Sequence, residues 1–158
     1  MSGLANLECL AANWIWARSS RRACASFRAA LCEPAEAQRR VLFEILRRNS
    51  ASSFGRDNKF DTIRTVEQYQ SRVPLSAYDD YSAHIERIRS GEHGVLTSDT
   101  VERLVPSSGS VAARKLIPYT RTLHAEFQRG IGPWIADLFA RNPDLMRGSA
   151  YWSVSWAF

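Results

Sequence analysis

Apolar residues recur at helical spacing along most of this chain. Across residues 4–31, Leu7, Leu10, Trp14, Ala17, Phe27 and Leu31 fall near helical intervals, which predicts helix. Glu33-Pro34 interrupts that run. Pro34 suits the first turn of the next helix, where its missing N–H would have no partner anyway. Val41, Leu42, Ile45, Leu46 and Asn49 then repeat at i, i+1, i+4, i+5 and i+8, an amphipathic helix that stops near Asn49. Residues 50–61, SASSFGRDNKFD, predict a polar loop around Gly55. Thr65-Val66-Glu67-Gln68 has the T-x-x-Q form of a capping box and opens a short helix that Pro74 ends. Ser76-Ala77-Tyr78-Asp79 reads as another cap. The helix after it carries Tyr81, Ile85 and Ile88 on one face and ends at Gly91. Residues 94–97 and 101–105 hold enough β-branched and apolar side chains for short strands.

Further along, Leu123, Phe127, Ile131, Trp134, Ile135 and Leu138 form a long apolar helix face. Gly130, Gly132 and Pro133 within it predict a kink or a division into two helices. Asn142-Pro143 ends it, and Tyr151–Trp156 alternates like a strand. A terminal strand rich in aromatic residues has edges to hide, and few other predicted strands can receive it. The chain therefore reads as the front of something longer. It contains no internal repeat and no low-complexity tract.

Composition narrows the class. A length of 158 residues fits one domain with a real core. Hydrophobic residues at 45% and charged residues at 23% exclude global disorder and a small disulfide scaffold. The formal net charge is +5 and the isoelectric point about 9.5. Of the 21 basic residues, 19 are arginine and only Lys59 and Lys115 are lysine. A basic excess permits an anionic partner such as nucleic acid, a lipid surface or nucleotide phosphate. The arginines are interleaved with acids, however, so Arg39-Arg40 and Arg47-Arg48 read as solvated helix faces. Cys9, Cys24 and Cys32 are odd in number and form no C-x-x-C, so neither a disulfide framework nor a zinc site is indicated and a cytoplasmic location is expected. No run reaches the roughly 18 apolar residues of a membrane span. The apolar stretch Cys9–Ala17 is short, interrupted by Asn13 and preceded by Glu8, so no secretory signal is expected.

Most candidate chemistry reads as structure. His84, His93 and His124 are scattered without metal-ligand spacing. Asp79-Asp80, adjacent on a helix, point apart and suit a helix N-terminus. Trp14, Trp16, Trp152 and Trp156 could stack on bases but are expected in the core. Residues 107–115 differ: Ser107-Ser108-Gly109-Ser110-Val111-Ala112-Ala113-Arg114-Lys115 follows a strand-like run. Small residues let successive N–H groups face an anion, the serine hydroxyls can donate to phosphate oxygens, and Lys115 can approach as a point charge. The Walker pattern does not fit, because Arg114 and Leu116 stand where it needs glycine and Ser/Thr. On spacing alone, a phosphate loop and a plain Ser/Gly turn both stay open.

The loop has company in the sequence. FGRDNKFDTI, YQSRVPLSAYDDYSAHIERIRSGEHGVLT, the SSG loop and RKLIPYT, in that order, resemble the auxin-responsive Gretchen Hagen family of acyl-acid–amido synthetases, of the bacterial type, within the adenylate-forming superfamily. The resemblance covers roughly residues 36–155 and implies an α/β fold: this chain would be the α-rich N-terminal part of the large domain, with an incomplete sheet. It implies a reaction in which ATP, with Mg, activates a carboxylic acid as an acyl-adenylate and an amino acid amine then displaces AMP. The partners implied are a small carboxylic acid and an amino acid, with no nucleic acid and no membrane. Carried over residue by residue, Ser107, Ser108, Gly109, Ser110 and Lys115 become phosphate-binding positions. Val111 stands where the family usually has Thr or Ser, and Ala113 where it often has Gly. Trp156-Ala157-Phe158 comes where the family strand would run on into Ser-Pro.

The expected organisation is a helical lead over 1–33, helices and short strands over 34–105, the phosphate loop over 106–115 and a helix with a terminal strand over 116–158. The nucleotide-base and acyl sites and the C-terminal domain are expected beyond Phe158, and the isolated chain is expected not to complete amide synthesis. Two other readings are a non-catalytic interaction module that kept this part of the fold, and a basic helical nucleic-acid-binding protein with steeply salt-dependent binding.

Overall fold

A computed structural model describes residues 2–107 and 115–149, with side chains from residue 6 onward. Helices dominate: α1 (Ser2–Ser19), α2 (Arg21–Cys32), α3 (Pro34–Arg48), α4 (Ser53–Asp57), α5 (Val66–Arg72), α6 (Ser82–Arg89) and α7 (Arg121–Arg141). Two strands, β1 (Arg103–Pro106) and β2 (Leu116–Tyr119), stand between α6 and α7. This is an α-rich α/β arrangement, as expected. The chain divides into two units, residues 2–34 with 125–149 and residues 35–107 with 115–124. The terminal strand expected at Tyr151–Trp156 lies outside the described residues.

In the first unit, the single helix expected over 4–31 is two elements meeting at Ser20. The backbone ladder nevertheless continues through the junction, from Ser20 N–H to Trp16 O at 3.0 Å and from Cys24 N–H to Ser20 O at 2.9 Å. Ser20 is buried, and a Cβ on Gly132 would stand 3.1 Å from its hydroxyl, so the bare backbone at 132 permits that approach. Pro133 neither splits nor ends α7, which runs as one helix from Arg121 to Arg141. Gly132, Pro133, Ile135 and Phe139 are its buried residues, and packing on that side outweighs the missing N–H. Trp16 meets Phe139 edge-on at 6.5 Å between centroids. Asn13, which interrupts the apolar run in sequence, is buried and donates its amide to Met146 O and Gly148 O at 2.9 and 3.1 Å. Trp14, expected in the core, is 58% exposed.

The second unit has a compact apolar centre of Leu46, Phe60 and Ile63, with Leu42, Phe43, Phe54, Tyr69 and Val73 packed around it. The expected loop over 50–61 is largely helical. Ser52 caps α4, accepting the Gly55 N–H at 2.9 Å, and a 3₁₀ turn follows at Phe60–Thr62. The expected strand over 94–97 is absent, because its carbonyls serve α4 instead. Gly94 O accepts the Ser53 N–H at 2.7 Å and Val95 O the Phe54 N–H at 3.0 Å, which satisfies two orphan donors of the helix start. Asn49 ties the same segment to α3, its Oδ1 accepting from Thr97 Oγ1 at 2.9 Å and the Ser98 N–H at 3.0 Å. The capping box at Thr65 forms, with Gln68 N–H donating to Thr65 Oγ1 at 3.2 Å. Before α6 the cap comes from Asp80, whose carboxylate accepts the Ala77 N–H at 2.7 Å.

The strand expected over 101–105 is β1. Its partner β2 had no sequence signal, because Pro118 sits inside it. Both prolines of this two-stranded sheet are tolerated at edges, where a missing N–H breaks no ladder on the far side. The strands are antiparallel, with Arg103 opposite Tyr119 and Pro106 opposite Leu116.

Candidate functional site

The antiparallel register brings together Ser107 and Lys115, the two ends of the serine-rich segment. Ser107 N–H donates to Lys115 O at 2.8 Å, so these two residues close the mouth of the loop over 108–114. Of the expected phosphate positions, Ser107 and Lys115 stand at this mouth. Ser108, Gly109 and Ser110, with Val111 and Ala113, lie outside the described residues. The Ser107 N–H is committed to the hairpin, while its hydroxyl has no partner among the described residues. Lys115 is exposed, and no carboxylate among the described residues pairs with it. Its ammonium lies 5.6 Å from the centroid of the Tyr78 ring, within the roughly 6 Å reach of a cation–π contact.

Tyr78 is the residue the sequence concealed. It opens the 3₁₀ turn Tyr78–Tyr81, and its position among capping residues predicted only a helix start. In the fold its hydroxyl accepts the Leu116 N–H at 2.7 Å and donates to Leu116 O at 3.3 Å. Leu116 stands opposite Pro106 in a non-hydrogen-bonded pair, so its N–H and C=O point away from β1. One side chain, 38 residues away in sequence, thus serves both backbone groups of the residue that follows Lys115. No local pattern encodes such a contact.

Around this mouth the polar side chains are mostly paired. Arg103 stacks over Tyr119 with its guanidinium carbon 4.3 Å from the ring centroid, and Tyr119 Oη meets His124 Nδ1 at 2.5 Å. Arg121 Nε donates to Glu102 Oε1 at 2.7 Å. Arg87 makes a two-point contact with Glu92, one arm at 2.8 Å, and its Nη2 also donates to Ser53 Oγ at 3.0 Å. The hydrogen bonds from Arg87 hold the Glu92 carboxyl below its usual range, and Glu92 in turn raises Arg87. An open groove of about 420 Å³ runs beside β1, lined by Ile88, His93, Val101, Arg103, Leu104 and Leu116 among others. Lys115 differs from Arg87 and Arg121 in having no acid partner among the described residues. Among the described residues no three His, Cys, Asp or Glu side chains converge as metal ligands. No helix there is long and apolar enough to cross a membrane.

Comparison with known proteins places most of the chain within one family. The model of the GH3 family N-terminal domain matches residues 23–156. Indole-3-acetic acid-amido synthetase GH3.2 of Arabidopsis thaliana is 34% identical over 87 residues, 54% of this chain and 16% of that protein. Indole-3-acetic acid-amido synthetase GH3.4 of the same plant is 36% identical over 89 residues, 54% of this chain and 15% of that protein. The probable indole-3-acetic acid-amido synthetase GH3.7 of Oryza sativa subsp. japonica is 33% identical over 118 residues, 68% of this chain and 18% of that protein. The chain thus spans less than a fifth of the length of these curated relatives.

Proposed function

The chain belongs to the GH3 family, and from that membership we propose that it is the N-terminal part of an ATP-dependent acyl-acid–amido synthetase whose 107–115 loop holds the nucleotide's phosphates. The observation that carries this reading is Lys115, an exposed cation without an acid partner among the described residues, at the mouth of a hairpin loop rich in serine. A polyphosphate supplies the negative charge that the neighbouring acids do not. The Ser107 hydroxyl, without a partner among the described residues, can donate to the same anion. Both groups fit a departing pyrophosphate, since donors fixed in advance lower the cost of charge developing on a leaving group. Lys115 acts as a point charge and Ser107 as a short-range donor. Magnesium fits this part of the chain less directly. With no converging ligand set among the described residues, the ion would come with the nucleotide. The substrates proposed are a small carboxylic acid, of the kind named for the relatives, and an amino acid.

Having only two lysines makes a direct test simple. Acylation of Lys115 by an N-hydroxysuccinimide ester, read by mass spectrometry, is compared with that of exposed Lys59 as internal control. Millimolar pyrophosphate is expected to slow labelling of Lys115 about fivefold and leave Lys59 unchanged, as mass action at several times Kd requires. Equal labelling of both lysines with and without pyrophosphate would remove the phosphate-loop assignment. The purified chain is also expected to lack acid-dependent ATP–pyrophosphate exchange, because it spans so little of its relatives.

A further inference from the structure

We propose that Tyr78 is a positioning residue for the phosphate loop, setting both the backbone at the loop's exit and the direction of the Lys115 ammonium; this rests on the phosphate-binding reading above. Three observations converge on one side chain. The Tyr78 hydroxyl takes the Leu116 N–H at 2.7 Å and gives its own proton to Leu116 O at 3.3 Å. The Tyr78 ring lies 5.6 Å from Lys115 Nζ. Ser107 and Lys115 close the hairpin mouth one residue before this clamp, at 2.8 Å.

The physical argument starts from what a lysine lacks. Its ammonium rides on a four-carbon stem with free rotation, so ordering it at an anion costs side-chain entropy. A ring face beneath the ammonium narrows that freedom without neutralising the charge, which an acid partner would do. The hydroxyl acts on the backbone instead. Ser107 and Lys115 form a hydrogen-bonded pair, so the neighbouring Pro106–Leu116 pair is a non-hydrogen-bonded one and Leu116 turns its N–H and C=O away from β1. Both groups close on one oxygen, which anchors β2 at the residue next to Lys115. An anion then meets a cation and a loop mouth already in place, which preserves affinity otherwise lost to ordering. Tyr78 stays half-buried below this point and touches no ligand itself in this arrangement.

Two substitutions separate the two contacts. Tyr78→Phe keeps the ring and removes both hydrogen bonds. Tyr78→Leu removes the ring as well. The readout is the pyrophosphate concentration that gives half-protection of Lys115 from acylation, with Lys59 as control and a thermal melt of each variant alongside. Half-protection is expected to rise about threefold in Tyr78→Phe and about tenfold in Tyr78→Leu, the latter matching loss of about 1.4 kcal/mol of binding. A hydroxyl with a merely structural role would lower the melting temperature and leave half-protection where it is, and that result in Tyr78→Phe overturns the proposal. Should Tyr78→Leu fail to fold, Tyr78→Phe decides alone. Absence of protection in the unsubstituted chain would instead overturn the phosphate-loop reading, and this inference with it.

Discussion

Two serine-rich segments of the second unit look alike in sequence and behave differently in the fold. SASSFG at 50–55 and PSSGS at 106–110 both join small, polar and glycine residues. In the first, every special residue is used by the protein itself. Ser52 is fully buried, accepts the Gly55 N–H at 2.9 Å and donates to Asn49 O at 2.8 Å. Gly55 is required by space: an added Cβ would stand 2.0 Å from Asn49 O. At the mouth of the second, the Ser107 hydroxyl and the Lys115 ammonium find no polar partner among the described residues. The lesson concerns binding. A polar group already satisfied within the protein has little left for a ligand, so the candidate site is where satisfaction is missing.

The sharpest way to break this comparison is Gly55→Ala. The clash is with backbone, which cannot swing aside as a flexible side chain can. Overpacking of this kind is expected to cost about 3 kcal/mol, or roughly 6–12 °C in a chain of this size. Thermal melting by circular dichroism reads it. A melting temperature within a degree or two of the original would mean that the 50–57 turn is not the rigid element described here.

Ser52→Ala comes next. It removes the helix cap and leaves the Gly55 N–H buried without its acceptor, at an expected cost of about 2 kcal/mol. Ser52→Thr keeps the hydroxyl and should recover part of that loss. If alanine and threonine destabilise equally, the hydroxyl is not what matters at 52.

Lys115→Met sharpens the other side. Stability should hardly move, because the ammonium is exposed and pairs with no acid among the described residues. Pyrophosphate affinity, followed by phosphorus NMR line broadening, should fall about tenfold, equivalent to about 1.4 kcal/mol. The opposite pattern, lost stability with unchanged affinity, would make the second segment another structural turn like the first.

The two segments also mark how far a sequence reading reaches. Helical periodicity places α3, α6 and α7 within a few residues, and a capping box with Pro74 places α5, because both are local properties. Periodicity finds the buried face of α3 only in part, with Leu42 on the core as expected. Leu46 and Asn49 are inside, but Val41 and Ile45 are 50% and 37% exposed while Phe43 packs on the core. The polar loop expected over 50–61 is largely helical, since the start of α4 draws on the Gly94 and Val95 carbonyls some 40 residues away. The same distance hid Tyr78 beside Leu116. Lys115 and Ser107 are candidates on residue type and order alone. The hydrogen bonds between Tyr78 and Leu116 depend on the pairing of distant segments, and no window of neighbouring residues reports that.

The smallest expected effect lies in the contact that ties the first segment to α6. Arg87 donates to Ser53 Oγ and to both oxygens of Glu92, and the carboxyl of Glu92 is held below its usual value by that hydrogen bonding. A group whose folded value is lowered contributes stability above its unfolded value and loses it as pH falls through the folded one. The usual value is 4.5, so the contribution is complete above it and fades below it. Both side chains are well exposed, at 40% and 47%, so solvent screens the pair and the gain is slight. The gap in melting temperature between the original chain and Glu92→Gln should therefore be small at neutral pH and should close between about pH 5 and pH 3. Arg87→Gln should show the same closing gap, with an added constant offset from the lost bond to Ser53. A gap that stays constant across that window in Glu92→Gln would show that the pair does not hold the turn, leaving the buried Ser52 and Gly55 to do so alone.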